Sequence, residues 1–165
     1  MPWREGAGAY PIRDLAFPRW FGLHHTGEGP ARPTVDEVAR FQVGPTAQAP
    51  FPTLAYTIFV EVDGQLILAN DLHAVCWSNG DGSPYELQGV GIYNWWTVSC
   101  CFSGENPTEA QVKSMILAYR AVNTILRRSL EPRGHRQISG SSDTECPGPE
   151  MDQWLPLITA GPIGS

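Results

Sequence analysis

Apolar residues recur along this chain in two rhythms, one close to 3.6 and one of 2, and their boundaries mark out elements. Between Pro107 and Leu130, residues Val112, Met115, Ile116, Tyr119, Val122, Ile125 and Leu126 fall three or four positions apart. That spacing puts them on one face of a long helix, a stripe suited to packing against a sheet. A shorter helix is predicted over TVDEVARFQ, residues 34–42. Thr34 and Glu37 stand in capping-box spacing after a proline, and Val35, Val38, Ala39 and Gln42 make a weak inner face.

Strands are predicted for RWFGLHHT (19–26) and for NWWTVSCCF (94–102). The second sets Val98, Cys100 and Phe102 on one face and Thr97, Ser99 and Cys101 on the other. LAYTIFVEV and QLILAN flank Asp63-Gly64, a dipeptide suited to a two-residue hairpin turn. Residues 1–15 have no clear period and read as an extended arm around the domain. Residues 43–52, rich in Pro, Ala and Gly, read as a loop, and the turn-rich 78–93 as a long excursion. Strands, hairpin and helices together imply an α/β fold, a mixed central β-sheet flanked by helices.

Composition narrows the classes of function. The 165 residues, 42% hydrophobic and 17% charged, suit one domain spanning 1–165 with a proper core. Seventeen glycines and fifteen prolines imply long irregular connections. A net charge of −6 argues against nucleic acid, whose binders present a basic footprint, and gains little at an anionic membrane. No apolar run is long enough to span a bilayer, so no membrane insertion is expected. The N-terminal MPWREGAGAYPIRDL lacks the apolar centre of a signal peptide, which points to cytoplasmic synthesis. A domain of this size does not need disulfides, and Cys100 and Cys101, facing opposite ways in one strand, read as buried structural thiols.

Chemistry concentrates in GHRQISGSSDTECPG, residues 134–148. His135 and Cys146 stand eleven residues apart across a small polar loop, a spacing far looser than a C-x-x-C hook. Spacing alone leaves two readings, a pair of ligands to one metal or a surface loop. Further histidines lie in LHHT (23–26), where His24 and His25 face opposite ways on a strand, and in NDLHAVCW, which holds His73. Taken alone, each is more often a packing residue than a ligand.

Four blocks, taken in order, resemble the zinc-dependent N-acetylmuramoyl-L-alanine amidases, the type shared by short phage endolysins and peptidoglycan recognition proteins. LHHT is similar to the family's strand-end histidine motif, and AYTIFVEVDGQL to its tyrosine-strand-Asp-Gly hairpin. NWWTVSCCFSGENPTEAQ resembles its Asn-x-x-Ser strand and Pro-Thr-x-x-Gln helix start, and GHRQISGSSDTECPG its closing histidine-to-cysteine loop. The resemblance covers roughly residues 20–150. It implies one zinc per chain held by His24, His135 and Cys146, with a fourth position left for water as in catalytic zinc sites. Gly140, Ser141 and Ser142 would let the chain turn back, and Pro147 would stiffen the exit.

The resemblance also implies roles around the metal. Tyr56 matches the catalytic tyrosine, whose phenol can hydrogen-bond an oxyanion. Thr144 stands where the family places a catalytic Lys or Thr, and its neutral hydroxyl suits orientation better than proton abstraction. Asp143 and Glu145 read as solvated loop charges. Trp77 and Ser78 stand where an aromatic residue is often followed by histidine, Ser99 replaces a common glycine, and the 78–93 loop is longer than the pattern requires. Trp77, Ser78 and Asn94 are the substrate-side candidates. Tyr85, Tyr93, Trp95 and Trp96 would wall a groove for sugar or peptide, or pack beneath the sheet. The expected activity is cleavage between N-acetylmuramic acid and L-alanine by a monomer acting on bacterial peptidoglycan. The expected setting is a phage or prophage endolysin held in the host cytoplasm until lysis. The rivals are a non-catalytic recognition module and a structural domain stapled by zinc.

Overall fold

A computed structural model of the chain describes residues 9–27, 31–44, 47–48, 51–80, 83–139 and 144–160. Its sheet runs β3-β2-β6-β1-β7, from β1 (Trp20–His25), β2 (Ile58–Val60), β3 (Leu66–Leu68), β6 (Thr97–Phe102) and β7 (Glu131–Gly134). The strands β2, β6, β1 and β7 are parallel, and β3 is antiparallel to β2. The sheet is therefore mixed, with helices on both faces as the patterning implies. All six residues of β6 are buried, as expected of a central parallel strand covered on both sides.

Two cores lie across the sheet. On one face, α3 (Glu109–Leu126) and α5 (Met151–Thr159) pack Met115, Tyr119, Val122 and Trp154 against Phe21, Leu23, Val98, Cys100 and Phe102. On the other, α1 (Val35–Gln42) packs Val35 and Ala39 over Leu54, Phe59 and Cys101. Cys100 and Cys101 thus do face opposite cores, and all four cysteines are buried free thiols. Both main helices begin with reciprocal capping boxes, Thr34 with Glu37 and Thr108 with Gln111.

Several boundaries differ from the sequence reading, each for a physical reason. The hairpin loop is not two residues but three. The Glu61 carbonyl accepts from Gly64 N–H (2.9 Å), and Glu61 N–H donates to Gln65 O (3.0 Å). Only Gly64 has a left-handed backbone there, at φ +90°, and Ala110 O lies 2.9 Å from where its Cβ would be. A turn closed by one left-handed glycine fits that pattern, whereas the two-residue turn needs positive φ at Asp63 as well. The long helix ends at Leu126, because Arg127 turns left-handed (φ +53°) and its N–H folds back to Asn123 and Thr124. Ile125, counted into the inner stripe, is 60% exposed.

The 94–102 strand is also shorter than predicted. Asn94, Trp95 and Trp96 belong to a one-turn helix, α2 (Ile92–Trp96), and β6 starts at Thr97. Ahead of it the turn-rich excursion forms a small hairpin, β4 (Glu86–Leu87) with β5 (Val90–Gly91). A buried arginine stabilises this corner. Arg13, 2% exposed, donates from Nη1 to the carbonyls of Asn94 (3.0 Å), Trp95 (3.1 Å) and Thr97 (2.6 Å), groups left bare where a helix ends. Burial pulls its guanidinium down to about 10, opposed by Cys76. Within the predicted N-terminal arm, residues 9–15 do run along the domain, with Ile12 bridged to Ala74 and Arg13 N–H donating to His73 O. Residues 1–8 lie outside the described part. Among the described residues, no helix is long and apolar enough to cross a membrane.

Candidate metal centre

The candidate ligands meet at the C-terminal ends of two neighbouring parallel strands, where open α/β sheets commonly bind ligands. His24 is the fifth residue of β1 and points away from the α3 core, 1% exposed. In the parallel register Leu23 lies opposite Gly134, so the next residue of β7's chain, His135, arrives beside His24. His135 opens the one-turn helix α4 (His135–Ser139) directly after β7. The two imidazole centroids are 4.7 Å apart. His25 faces the other way, as strand alternation requires, with its ring 6.4 Å from Phe102. His73 sits elsewhere, Nδ1 2.9 Å from Arg13 O, in a packing role.

Cys146 reaches the pair from the closing segment, and three backbone contacts fix it. His25 N–H donates to its Sγ (3.4 Å), its carbonyl accepts from Arg136 N–H (3.0 Å), and its own N–H donates to Thr144 Oγ1 (3.2 Å). Glu145 is 66% exposed at its side chain and 3.9 Å from Arg136, in keeping with a solvated charge. Gly140, Ser141, Ser142 and Asp143 lie outside the described residues.

The donor set fits zinc. Ligand atoms of His24, His135 and Cys146 all lie within 4.8 Å of one another, and His24 Nδ1 is 3.8 Å from Cys146 Sγ. Nitrogen and sulfur on one tetrahedral zinc, at bond lengths of about 2.1 and 2.3 Å, stand about 3.6 Å apart. Electrostatics agree. Burial holds His24 well below the usual imidazole range, and His135 and His25 lower it further. Burial likewise lowers His135, while a hydrogen bond to the Asn79 backbone acts in the opposite sense. Burial pushes the Cys146 thiol up to about 12, against smaller lowering effects of the His25 N–H and Arg136. The two imidazoles are held neutral, as metal ligands must be, and a divalent cation bound here would have to displace the proton that the buried Cys146 thiol otherwise keeps.

Tyr56 lies beside this trio, its ring 5.4 Å from that of His24. Its phenol is held well above the usual tyrosine range by burial, then by Cys101 and Cys146, so it remains a hydrogen-bond donor. Gln42, which the sequence reading placed only on the inner stripe of the short helix, turns out to support it. Gln42 Oε1 accepts from Ala55 N–H (3.0 Å), tying α1 to the backbone beside Tyr56. An amide at an inward position of an otherwise apolar face was the available signal.

The substrate-side candidates divide. Trp77, 37% exposed, and Asn94 line a cavity of about 390 Å³ together with Phe51, Gly80, Glu86, Gly89, Val90 and Gly91. Trp77 packs edge-on to Tyr10 and Phe51. Asn94 is only 4% exposed, and its Oδ1 already accepts from Asn79 N–H (2.9 Å). Ser78 Oγ is buried without a hydrogen-bond partner among the described residues. Trp95 is core, donating Nε1 to Leu87 O (3.0 Å), whereas Tyr85 and Trp96 line a second cavity beside Phe17 and Arg19.

No protein-family profile and no curated protein matches the chain. Solved structures do. Drosophila peptidoglycan recognition protein SD is similar with a TM-score of 0.68 at 19% identity, over 99% of this chain and 92% of that one. The Ph2119 endolysin from Thermus scotoductus MAT2119 bacteriophage Ph2119 gives 0.62 at 18% identity, over 97% and 96%. The N-acetylmuramoyl-L-alanine amidase LysC from Clostridium intestinale URNW gives 0.59 at 19% identity, over 93% of each chain. At these identities the likeness establishes the fold, shared along nearly the whole chain.

Proposed function

We propose that this chain is a zinc-dependent peptidoglycan hydrolase that cleaves the amide between the lactyl group of N-acetylmuramic acid and L-alanine. The observation that carries the proposal is the convergence of His24, His135 and Cys146 within 4.8 Å, with Tyr56 alongside. It lies on a fold shared with an N-acetylmuramoyl-L-alanine amidase and a phage endolysin, which supports the same substrate and an endolysin setting. In that setting the chain acts as a monomer, is made in the host cytoplasm and meets the wall at lysis.

Zinc, when bound here, supplies an activated water at neutral pH and polarises the carbonyl under attack. His24 and His135 present neutral imidazoles for it, and the His25 N–H stabilises the charge of the Cys146 thiolate. Tyr56 donates its hydroxyl to the oxygen of the scissile amide as negative charge develops there. Thr144 holds the backbone of Cys146 and so fixes the third ligand. Trp77 and Phe51 offer aromatic walls for the sugar or the stem peptide.

The test is metal analysis coupled to turnover on purified wall material. The chain should carry one zinc, lose hydrolysis on chelation and regain it with zinc, and lose the metal in Cys146→Ala. Full hydrolysis by a metal-free preparation would contradict the proposal. Zinc uptake and wall binding without products would instead make the chain a recognition module.

A further inference from the structure

A polymer that is cut at one point can be gripped at another, and the strand ends away from the candidate metal centre carry the means. Trp20 opens β1 four residues before His24, so about 13 Å of strand separates them. At that end Arg19 N–H donates to Trp96 O (2.7 Å), which ties the end of α2 to the start of β1. A cavity of about 390 Å³ opens there, walled by Phe17, Tyr85 and Trp96 and bordered by Arg19. Tyr85 is 55% exposed and Phe17 36%, and the rings of Tyr85 and Trp96 stand 6.4 Å apart at 82°. The walls are fixed before any ligand arrives. Tyr85 O accepts from Ile92 N–H (3.0 Å), and Trp95 Nε1 donates to Leu87 O (3.0 Å). The β4–β5 hairpin that carries Leu87 is closed by Gln88 and Gly89, both left-handed at φ +53° and +73°, as a tight two-residue turn requires. From the other side, Arg128 donates to the carbonyls of Leu15 (2.7 Å) and Ala16 (2.9 Å), which steadies the chain beside Phe17.

The lining selects a ligand. Arg19 is the one charged residue among the described residues that border the cavity. Its guanidinium lies 4.2 Å from the centre of the Trp96 ring and has no ion-pair partner among the described residues. Rigid, partly exposed aromatic rings suit the apolar C–H face of a sugar, and a guanidinium with free N–H groups suits carbonyl or carboxylate oxygens. In a chain of net charge −6, an unpaired cation among aromatic rings favours a ligand rich in acceptor oxygens over a basic one. N-acetylated amino sugars offer both features. We propose that this cavity is a second carbohydrate site, which holds the N-acetylated glycan strand of the wall polymer while the metal centre acts at the far strand ends. The inference rests on the peptidoglycan reading of the metal centre, and it gives Tyr85 and Trp96 the groove role that their sequence left open.

Binding is tested first, with chitotetraose, a neutral oligomer of N-acetylglucosamine, and needs neither zinc nor turnover. Titration followed by NMR should shift the amide of Tyr85 and the indole N–H of Trp96 in the parent chain. Tyr85→Ala and Arg19→Ala, both at exposed positions, should each weaken binding about three- to tenfold. No binding by the parent, shifts confined to the metal centre, or parental affinity in both variants overturns the proposal. The second test compares hydrolysis of purified wall polymer with that of a soluble disaccharide-peptide monomer. Tyr85→Ala should raise KM for the polymer, so that the polymer-to-monomer ratio of kcat/KM falls about three- to tenfold. Equal changes on the two substrates overturn the proposal. A parent chain that binds chitotetraose through Tyr85 and Arg19 but cuts neither substrate would support the carbohydrate site and count against the amidase reading.

Discussion

Tyr56 and Gln42 act as a pair at the scale of single residues. Burial and Cys101 keep the phenol protonated, and Gln42 holds the backbone beside it from α1 by accepting from Ala55 N–H. Tyr56→Phe should keep zinc and fold but lose about a hundredfold or more in kcat, the typical effect of deleting one oxyanion donor. Gln42→Leu should lower kcat with little change in KM, and should cost almost nothing further when Tyr56 is already Phe. Equal losses in both backgrounds would make Gln42 a purely structural amide. The proposed ligands also set a pH dependence. Without metal the Cys146 thiol lies near 12 and both imidazoles lie below their usual value, so binding at neutral pH releases one proton, from Cys146. Zinc affinity should therefore rise about tenfold per pH unit above pH 6.5. A pH-independent affinity in a chelator titration would take Cys146 out of the ligand set.

Secondary-structure elements bring these residues together, and some of that was readable from the chain. The alternation in LHHT separated His24 from His25, and the Thr34–Glu37 capping-box spacing located the start of α1, whereas the long helix, read from Pro107, begins at Glu109. Strand β7 escaped because EPRG is four residues long and holds a proline, a composition that suits only a sheet edge. Helix α5 escaped because Pro156 interrupts its nine residues, yet Met151, Trp154 and Ile158 are buried beneath the sheet. Arg13 and Asn79 are polar residues buried by contacts far along the chain, which no local pattern marks. Two substitutions test the element packing. A Cβ on Gly134 would meet Met151 Sδ and lie 2.7 Å from Pro147 Cδ, and the stiff proline ring is joined to Cys146. Gly134→Ala should cost about 1–3 kcal/mol by overpacking and should weaken zinc binding as well. Trp154 packs edge-on to Phe102 at 5.5 Å, and its Nε1 is buried with no hydrogen-bond partner among the described residues. Trp154→Ala should therefore cost about 3–5 kcal/mol in denaturant unfolding. Trp154→Phe should cost much less; equal losses would show that the indole nitrogen matters.

The whole molecule places a nitrogen–sulfur trio, His24 and Cys146 buried and His135 half-buried, at the strand ends of a sheet whose two faces are closed by helices. That arrangement, more than any single motif, separates the chemical alternatives. Peptidoglycan offers glycosidic bonds between sugars and amide bonds at the stem peptide. Glycosidases usually work with two carboxylates flanking the linkage, and no such pair stands beside His24 and His135 among the described residues. A metal held by three ligands, with a tyrosine donor at its side, suits water attack on a planar carbonyl. The measurement that tests this most directly is product analysis after digestion of purified peptidoglycan by the zinc-loaded chain. The account predicts released stem peptides with a free L-alanine amino group and glycan strands with no new reducing ends. New reducing ends without free L-alanine would contradict it.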